Sequence, residues 1–406
     1  MDSEPRIVTF GCRLNTSESE VMRLHARAAG LSNTIIFNTC GVTSEAERQA
    51  RQAIRRARRE HPDAEIVVTG CAVEISRDTF SAMPEITRIV SNAAKLKPES
   101  WHEEGTVDIP VVGPVTEFSG LARGFVEVQT GCDHACTFCV IPIGRGPSRS
   151  VPIGEIVSRT RALVEQGYRE IVLTGVDITS FGGDLPGQPT LGSMVRRLLA
   201  LVPDLPRLRL SSLDPAEIDD DLWALIDNEP RLMPHLHISM QSGDDMILKR
   251  MKRRHDRGQG LELCRRARAS RRDIALGADF IAGFPTETDD MHRRTMEFVE
   301  EAGLTYLHVF PYSSRPGTPA ARMPSLSGET VKRRAADLRA LGQRRVGAFL
   351  AGRIGQTEAV LVECEGVGRT AHFAETRLPT GLQVGSVVPF HARSIEQTRL
   401  VGDVGH

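Results

Sequence analysis

No apolar run in this 406-residue chain approaches the roughly 20 residues needed to cross a bilayer, which excludes a helical membrane span. An excess of charge is missing too. Lys and Arg total 51 against 52 Asp and Glu, a formal charge of −1, so any nucleic-acid contact must come from a local patch. Cysteine is scarce: eight residues cannot build a disulfide-dense scaffold, and three of them fall within eight positions, which suits metal binding in a reducing compartment. The first six residues are polar and lead straight into the strand-like Ile7-Val8-Thr9-Phe10, unlike a signal peptide, so the expected location is cytoplasmic. Repeats and low-complexity tracts are absent. What remains is the ordinary composition of a globular protein, 40% hydrophobic and 25% charged, in a chain long enough for two or three cores.

Hydrophobic patterning divides the chain into three parts. Over residues 1–115, strand signals at 7–10, 34–38, 65–69 and 88–90 alternate with helical periodicity, the rhythm of a parallel-sheet α/β domain. Ser44 and Glu47 have the spacing of a capping box, and Ala46, Ala50, Ile54 and Ala57 then mark one helical face. Residues 97–120, rich in Gly, Pro and acids, read as a linker with one edge strand. Over 118–346, strands are expected at 124–129, 170–174, 207–211, 235–240, 275–282 and 306–311, with helices near 154–166, 191–201, 217–227, 259–271 and 289–302. Six such units imply a partial (βα)6 barrel with its chemistry at the C-terminal strand ends. Over 347–406 the helical signal gives way to strand-like runs at 358–363, 370–377 and 387–392, a small antiparallel β-barrel.

Cys132, Cys136 and Cys139 form C-x3-C-x2-C just after the first barrel strand. Iron–sulfur clusters usually take four thiolates, so three leave one iron open to an exogenous ligand. Such an iron is able to chelate the amino and carboxylate groups of S-adenosylmethionine (SAM). Zinc with His134 as fourth ligand, or chance spacing, are the alternatives. Cys12, Cys40 and Cys71 are distant in sequence, yet each follows a strand of the same expected parallel sheet. Ligands collect at that edge; three small buried core residues are the competing reading. Cys264 and Cys364 read as structural or surface thiols.

With these motifs in view the chain resembles the radical-SAM methylthiotransferases. Gly131-Cys132 through Cys139 resembles the SAM-cluster signature, and Gly11-Cys12-Arg13-Leu14-Asn15, Asn38-Thr39-Cys40 and Gly70-Cys71 resemble the family's N-terminal motifs. Leu173-Thr174-Gly175-Val176-Asp177 and His308-Val309-Phe310-Pro311-Tyr312-Ser313 point to its MtaB-type branch. The resemblance implies two [4Fe-4S] clusters, one on each cysteine trio, and SAM contacts from Gly175, Asp177, Ser212, Gln241 and Gly283. It also implies a TRAM-like RNA-binding module at the C-terminus, and methylthiolation of C2 of N6-threonylcarbamoyladenosine at position 37, in the tRNA anticodon loop. An electron donor and a sulfur donor would be partners. Sibling substrates are isopentenyladenosine in tRNA and an aspartate of a ribosomal protein; a non-catalytic iron–sulfur or zinc RNA-binding protein is the rival class. Arg55 and Arg59 on the arginine-rich helix over 48–59, Arg145 and Arg149 after the cluster loop, and Arg253 in the basic run 249–254 are the candidate phosphate contacts. With Phe373 and Phe390 the only aromatics of its strand-like runs, the C-terminal barrel is expected to recognise RNA by shape and backbone contacts.

Overall fold

A computed structural model of the chain describes residues 4–102, 109–110, 112–118 and 120–405. The first unit is a four-stranded parallel sheet in sequential order. Its elements run β1 (Arg6–Thr9), α1 (Arg13–Ala28), β2 (Thr34–Thr39), α2 (Ser44–Glu60), β3 (Glu65–Gly70), α3 (Cys71–Ile75), α4 (Arg77–Ser81) and β4 (Arg88–Ile89). β2 is buried along its whole length. Ile35 and Phe37 face one layer of core with Ile54 and Phe80, while Ile36 faces the other with Met22 and Trp101. Burial on both faces is what helices on both sides of a parallel sheet require. The cap of α2 differs from expectation. Thr43 accepts from the Ala46 N–H at 3.1 Å, Ser44 lies instead 3.0 Å from the Ser313 hydroxyl, and Glu47 pairs with Arg315 at 2.8 Å. Both displaced side chains bind the second unit.

That second unit contains β5 (Gly124–Glu127), β6 (Gln129–Thr130), α5 (Ile141–Arg145), β7 (Arg149–Ser150), α6 (Ile153–Glu165), β8 (Glu170–Thr174), α7 (Leu191–Leu201), β9 (Arg207–Leu210) and α8 (Asp220–Asn228). It continues with β10 (His235–Gln241), α9 (Asp245–Arg250), α10 (Arg257–Ser270), β11 (Ala275–Ala282), α11 (Asp289–Glu301), β12 (Tyr306–Pro311) and α12 (Gly328–Ala351). Parallel sheets β5-β8-β9 and β10-β11-β12 are joined by parallel bridges Leu208↔Leu232 and Leu213↔Ile238, giving the six-stranded partial barrel. Among the described residues β5 and β12 do not pair. At this opening α1 crosses over, where the Ser17 hydroxyl donates to the Phe125 carbonyl of β5 at 3.0 Å. The linker holds no strand among the described residues. It is fastened by packing instead, Trp101 and Phe118 each being 1% exposed.

The last unit is a closed five-stranded barrel of β13 (Thr357–Cys364), β14 (Val367–Thr370), β15 (Glu375–Arg377), β16 (Val387–Glu396) and β17 (Arg399–Val404). Its pairings are antiparallel except β15 with β17. The strand expected over 370–377 is broken by a turn in which Phe373 takes φ +70°. That turn docks on the large barrel: the Arg209 guanidinium donates to the carbonyls of Thr370 and Ala371, both at 2.9 Å, and the Phe373 ring stacks on His235 at 5.0 Å. No helix among the described residues is long and apolar enough to cross a membrane.

Glu170 organises this junction. Its carboxylate, 0% exposed, meets Arg209 at 2.7 Å, Arg207 at 2.8 Å and Arg123, which in turn reaches Glu363 of the small barrel. Burial alone would raise its pKa, but the arginines hold it down at about 2. A carboxylate depressed this way stabilises the fold above its unfolded pKa of about 4.3, and that stability drains as pH falls toward 2. Glu170→Gln should therefore cost about 3 kcal/mol or more at pH 7, since it leaves buried guanidinium groups uncompensated. In urea titrations the deficit against wild type should shrink between pH 4.5 and 2; a deficit independent of pH would contradict this account.

Candidate functional site

Every cysteine of the two trios stands at the C-terminal end of a strand or in the loop beyond it. Cys12 follows β1, Cys40 follows β2, and Cys71 opens α3 directly after β3. Two glycines shape these loops. Gly11 has φ +95°, and a Cβ there would lie 2.7 Å from the Cys40 sulfur; Gly131 has φ +73°, and a Cβ would lie 1.9 Å from the Pro147 carbonyl oxygen. Only glycine lets the backbone approach so closely in that conformation. Asn15 clamps the first pair, donating to the Phe10 carbonyl at 2.8 Å and the Thr39 carbonyl at 3.2 Å. In the other loop, backbone N–H groups of His134 and Ile141 point at the sulfurs of Cys132 and Cys139, each at 3.4 Å.

Within each trio the thiols influence one another. Burial pushes Cys40 up to about 11, with Cys12 and Cys71 adding to the rise; Cys132 stands at about 12, from burial and then Asp177 and its two partner cysteines. Burial likewise lifts Cys139 to about 11, and the Cys71 charge across the domain boundary contributes. The two trios are thus neighbours. Gly144 of α5 lies against Cys71, where a Cβ would be 3.2 Å from the Cys71 Cβ, and Asn92 donates to the Gly144 carbonyl at 2.6 Å. Buried thiols crowded together resist ionisation unless a cation joins them, and a metal inverts that preference. The donor set fits an iron–sulfur group on either side.

Two of the arginines expected to bind RNA have partners within the protein. Arg145 is 7% exposed, donating to Glu18 at 2.7 Å, Asn15 at 2.6 Å and Thr130 at 3.0 Å, and its charge reaches Cys71 and Cys12. Arg253 is covered by Asp214 at 2.8 Å and the Ser239 carbonyl at 2.8 Å, with its Nη1 3.6 Å from the Cys136 sulfur. Each is a cation held by a carboxylate of the chain beside a cysteine trio. Elsewhere in the run Arg250 donates to the Thr286 carbonyl and Arg254 pairs with Glu217, while Lys249 and Lys252 are exposed. Arg55, Arg59 and Arg149 remain exposed, Arg55 with only a 3.8 Å contact to Glu85.

A cavity of about 950 Å³ adjoins the first trio. Cys12 and Cys40 line it, as do Gly175 and Ser212 from the expected SAM set. Ser211, also on its wall, has a buried hydroxyl without a partner among the described residues, which suits a polar ligand. Asp177 is already engaged by His134 at 2.6 Å, Ser180 at 2.8 Å and Thr179 at 2.9 Å. Pairing with the Asp177 and Glu217 carboxylates raises the His134 pKa to about 10. The ligand atoms of Cys132, His134 and Asp177 lie within 4.8 Å of one another. Gln241 ends β10 at φ +68°; Gly283 packs its Cα face on Val331 and donates to Glu287 at 3.0 Å. Neither lines this cavity. Sequence reasoning also missed the buried Glu18–Lys95 pair beneath the cysteines, which left no local signal.

Residues 126–299 match the Radical SAM superfamily, and residues 5–91 match the Uncharacterized protein family UPF0004. A threonylcarbamoyladenosine tRNA methylthiotransferase MtaB of Rickettsia prowazekii is 48% identical over 96% of this chain and 95% of its own. The protein of the same name from Thermotoga maritima is 34% identical over 82% of this chain and 80% of its own. A tRNA-2-methylthio-N(6)-dimethylallyladenosine synthase of Cereibacter sphaeroides is 35% identical, covering 96% and 92%. Among solved structures, the radical SAM methyltransferase TsrM of Kitasatospora setae with cobalamin and a [4Fe-4S] cluster aligns with TM-score 0.53. It covers 88% of this chain and 81% of that one at 14% identity, a likeness of fold.

Replacing Gly131 by Ala should lower the iron bound after anaerobic reconstitution, because the Cys132 loop cannot close past Pro147. Gly30→Ala is the control: it shares a positive φ of +69° but has nothing within 4 Å of the added Cβ. Equal iron contents in the two variants would count against this role for the loop.

Proposed function

Because the chain belongs to the radical-SAM methylthiotransferase family, grouping with its MtaB-type members, we propose that it methylthiolates C2 of N6-threonylcarbamoyladenosine at position 37 of tRNA. In this reading Cys132, Cys136 and Cys139 hold one [4Fe-4S] cluster and Cys12, Cys40 and Cys71 a second. The observation that carries it is the juxtaposition of the trios across the α3–α5 contact, each with its own buried arginine. When bound, one SAM would supply the methyl group and a second, given an electron from the clusters, an adenosyl radical that carries off the hydrogen; with the cluster-bound sulfur these can replace an aromatic C2–H that is neither acidic nor a leaving group.

The chain's own residues bind, orient and exclude water. Gly175, Ser211 and Ser212 offer a close backbone approach and hydroxyls to SAM from the barrel wall. Gln129 holds their loop by accepting from the N–H groups of Val176 and Asp177 at 3.1 and 2.9 Å. Asp177 acts through His134 on the Cys132 loop, with Gln241 and Gly283 as contributors at the next strand ends. Arg145 and Arg253 offset the negative charge that thiolate-bound clusters add to a buried site. We assign the sulfur-bearing cluster to residues 1–115, SAM to 118–346, and RNA holding to 347–406 together with exposed Arg55, Arg59 and Arg149. A loop nucleotide suits such a cavity, since its base is offered without unpairing a duplex. Electron and sulfur donors are separate partners.

Two measurements test this reading. Wild-type protein should bind about eight irons per chain, and Cys12→Ala and Cys132→Ala about four each. Nucleosides from a deletion strain should lack the methylthio form of threonylcarbamoyladenosine. Its persistence alongside loss of the isopentenyl counterpart would reject the substrate.

A further inference from the structure

The charges around the 950 Å³ cavity do not balance. Glu375 on its wall is held by Arg369 at 2.9 Å and by Arg399, and Arg369 also meets Glu363 at 3.2 Å. Asp279, behind the wall, is shared by His237 at 2.9 Å and His308 at 3.5 Å. Two lining arginines have no carboxylate within ion-pair distance among the described residues. Arg339 of α12 spends one N–H on the Val309 carbonyl at 3.1 Å. Arg13, directly after Cys12, rests over the Phe373 ring at 5.5 Å. The acids whose charge reaches Arg13, Glu170 and Glu363, are bound by other arginines. Arg13 is partly buried and has no carboxylate of its own among the described residues, so an incoming anion would relieve a cation short of partners.

We propose that Arg13 and Arg339 take the carboxylate of an acidic substituent on the target base, so that the cavity selects a nucleoside with an amino-acid tail over one with a hydrocarbon tail. This rests on the reaction proposed above and adds the residues that choose its substrate. SAM carries a carboxylate too, and the test separates the two sources.

The assay uses the full, reconstituted chain on anticodon stem-loop RNAs carrying threonylcarbamoyl, its methyl ester or isopentenyl at the target adenosine. Wild type should favour the acid. Arg13→Gln and Arg339→Gln should each raise KM for the acid about tenfold, toward that of the ester, as expected for a lost charge-assisted hydrogen bond. The ester's KM, the KM for SAM and the iron content should stay within about twofold, and Arg13→Lys should restore part of the preference. Arg339 lies on an exposed helix face, so its variant tests the idea even if Arg13→Gln fails to fold. Equal handling of acid and ester by wild type overturns this proposal alone, as does a raised KM for SAM in the variants. Activity on none of the three RNAs overturns the substrate reading and this proposal together.

Discussion

Glu18 lies between the two cysteine sets, and the geometry of both depends on it. Its carboxylate is 2% exposed, receives Lys95 at 2.6 Å and Arg145 at 2.7 Å, and is held at about pKa 2 by those cations against the upward pull of burial. Lys95 is itself fully buried and also reaches the Asn38 side chain at 3.3 Å. One acid therefore joins the first helix, the end of the parallel sheet and the loop after the C-x3-C-x2-C motif. Such a pair contributes little net stability compared with an apolar replacement, but breaking it is expensive. Its use here is positional. Arg145 cannot leave Asn15 without exposing a charge to a low-dielectric interior, so the loops bearing Cys12 and Cys40 keep their register against the barrel. Glu127, pushed up to about 7 by burial and then by Glu18, shows how little room remains for a second negative charge there.

The small C-terminal barrel is fastened by the same kind of chemistry. Phe373 at its exceptional φ carries Arg13, Arg123, Arg209 and Arg369 around its ring, at 4.7 to 5.5 Å from the centroid. Cation–π contacts of this kind are worth more when desolvated. A module that family resemblance assigns to RNA thus also forms part of the wall of the 950 Å³ cavity, through Arg369, Phe373 and Glu375.

Much of this was legible beforehand where a local rule applied. Leu191–Leu201 was readable as a helix from apolar spacing, and the six barrel strands from short apolar or alternating runs between turn residues. The cap of α2 was misplaced by one residue because Ser44 and Glu47 satisfy a local motif while both are claimed by Ser313 and Arg315, which lie 269 and 268 positions away. The break at 371–374 was hidden for the same reason: Phe373 and Ala374 are compatible with a strand until a guanidinium from another domain takes the preceding carbonyls.

The sequence by itself determined the sulfur donors, their glycine neighbours and the strand ends they occupy, because spacing, turn chemistry and period are properties of adjacent residues. It also determined that no global charge would do the work of binding nucleic acid. Only the tertiary structure decided what each arginine is for. Arg55 and Arg145 are alike as letters, yet one is left in solvent and the other is buried against an acid 127 positions distant. The physical reason is that a charge takes its role from its dielectric surroundings and its counter-charges, and folding supplies both.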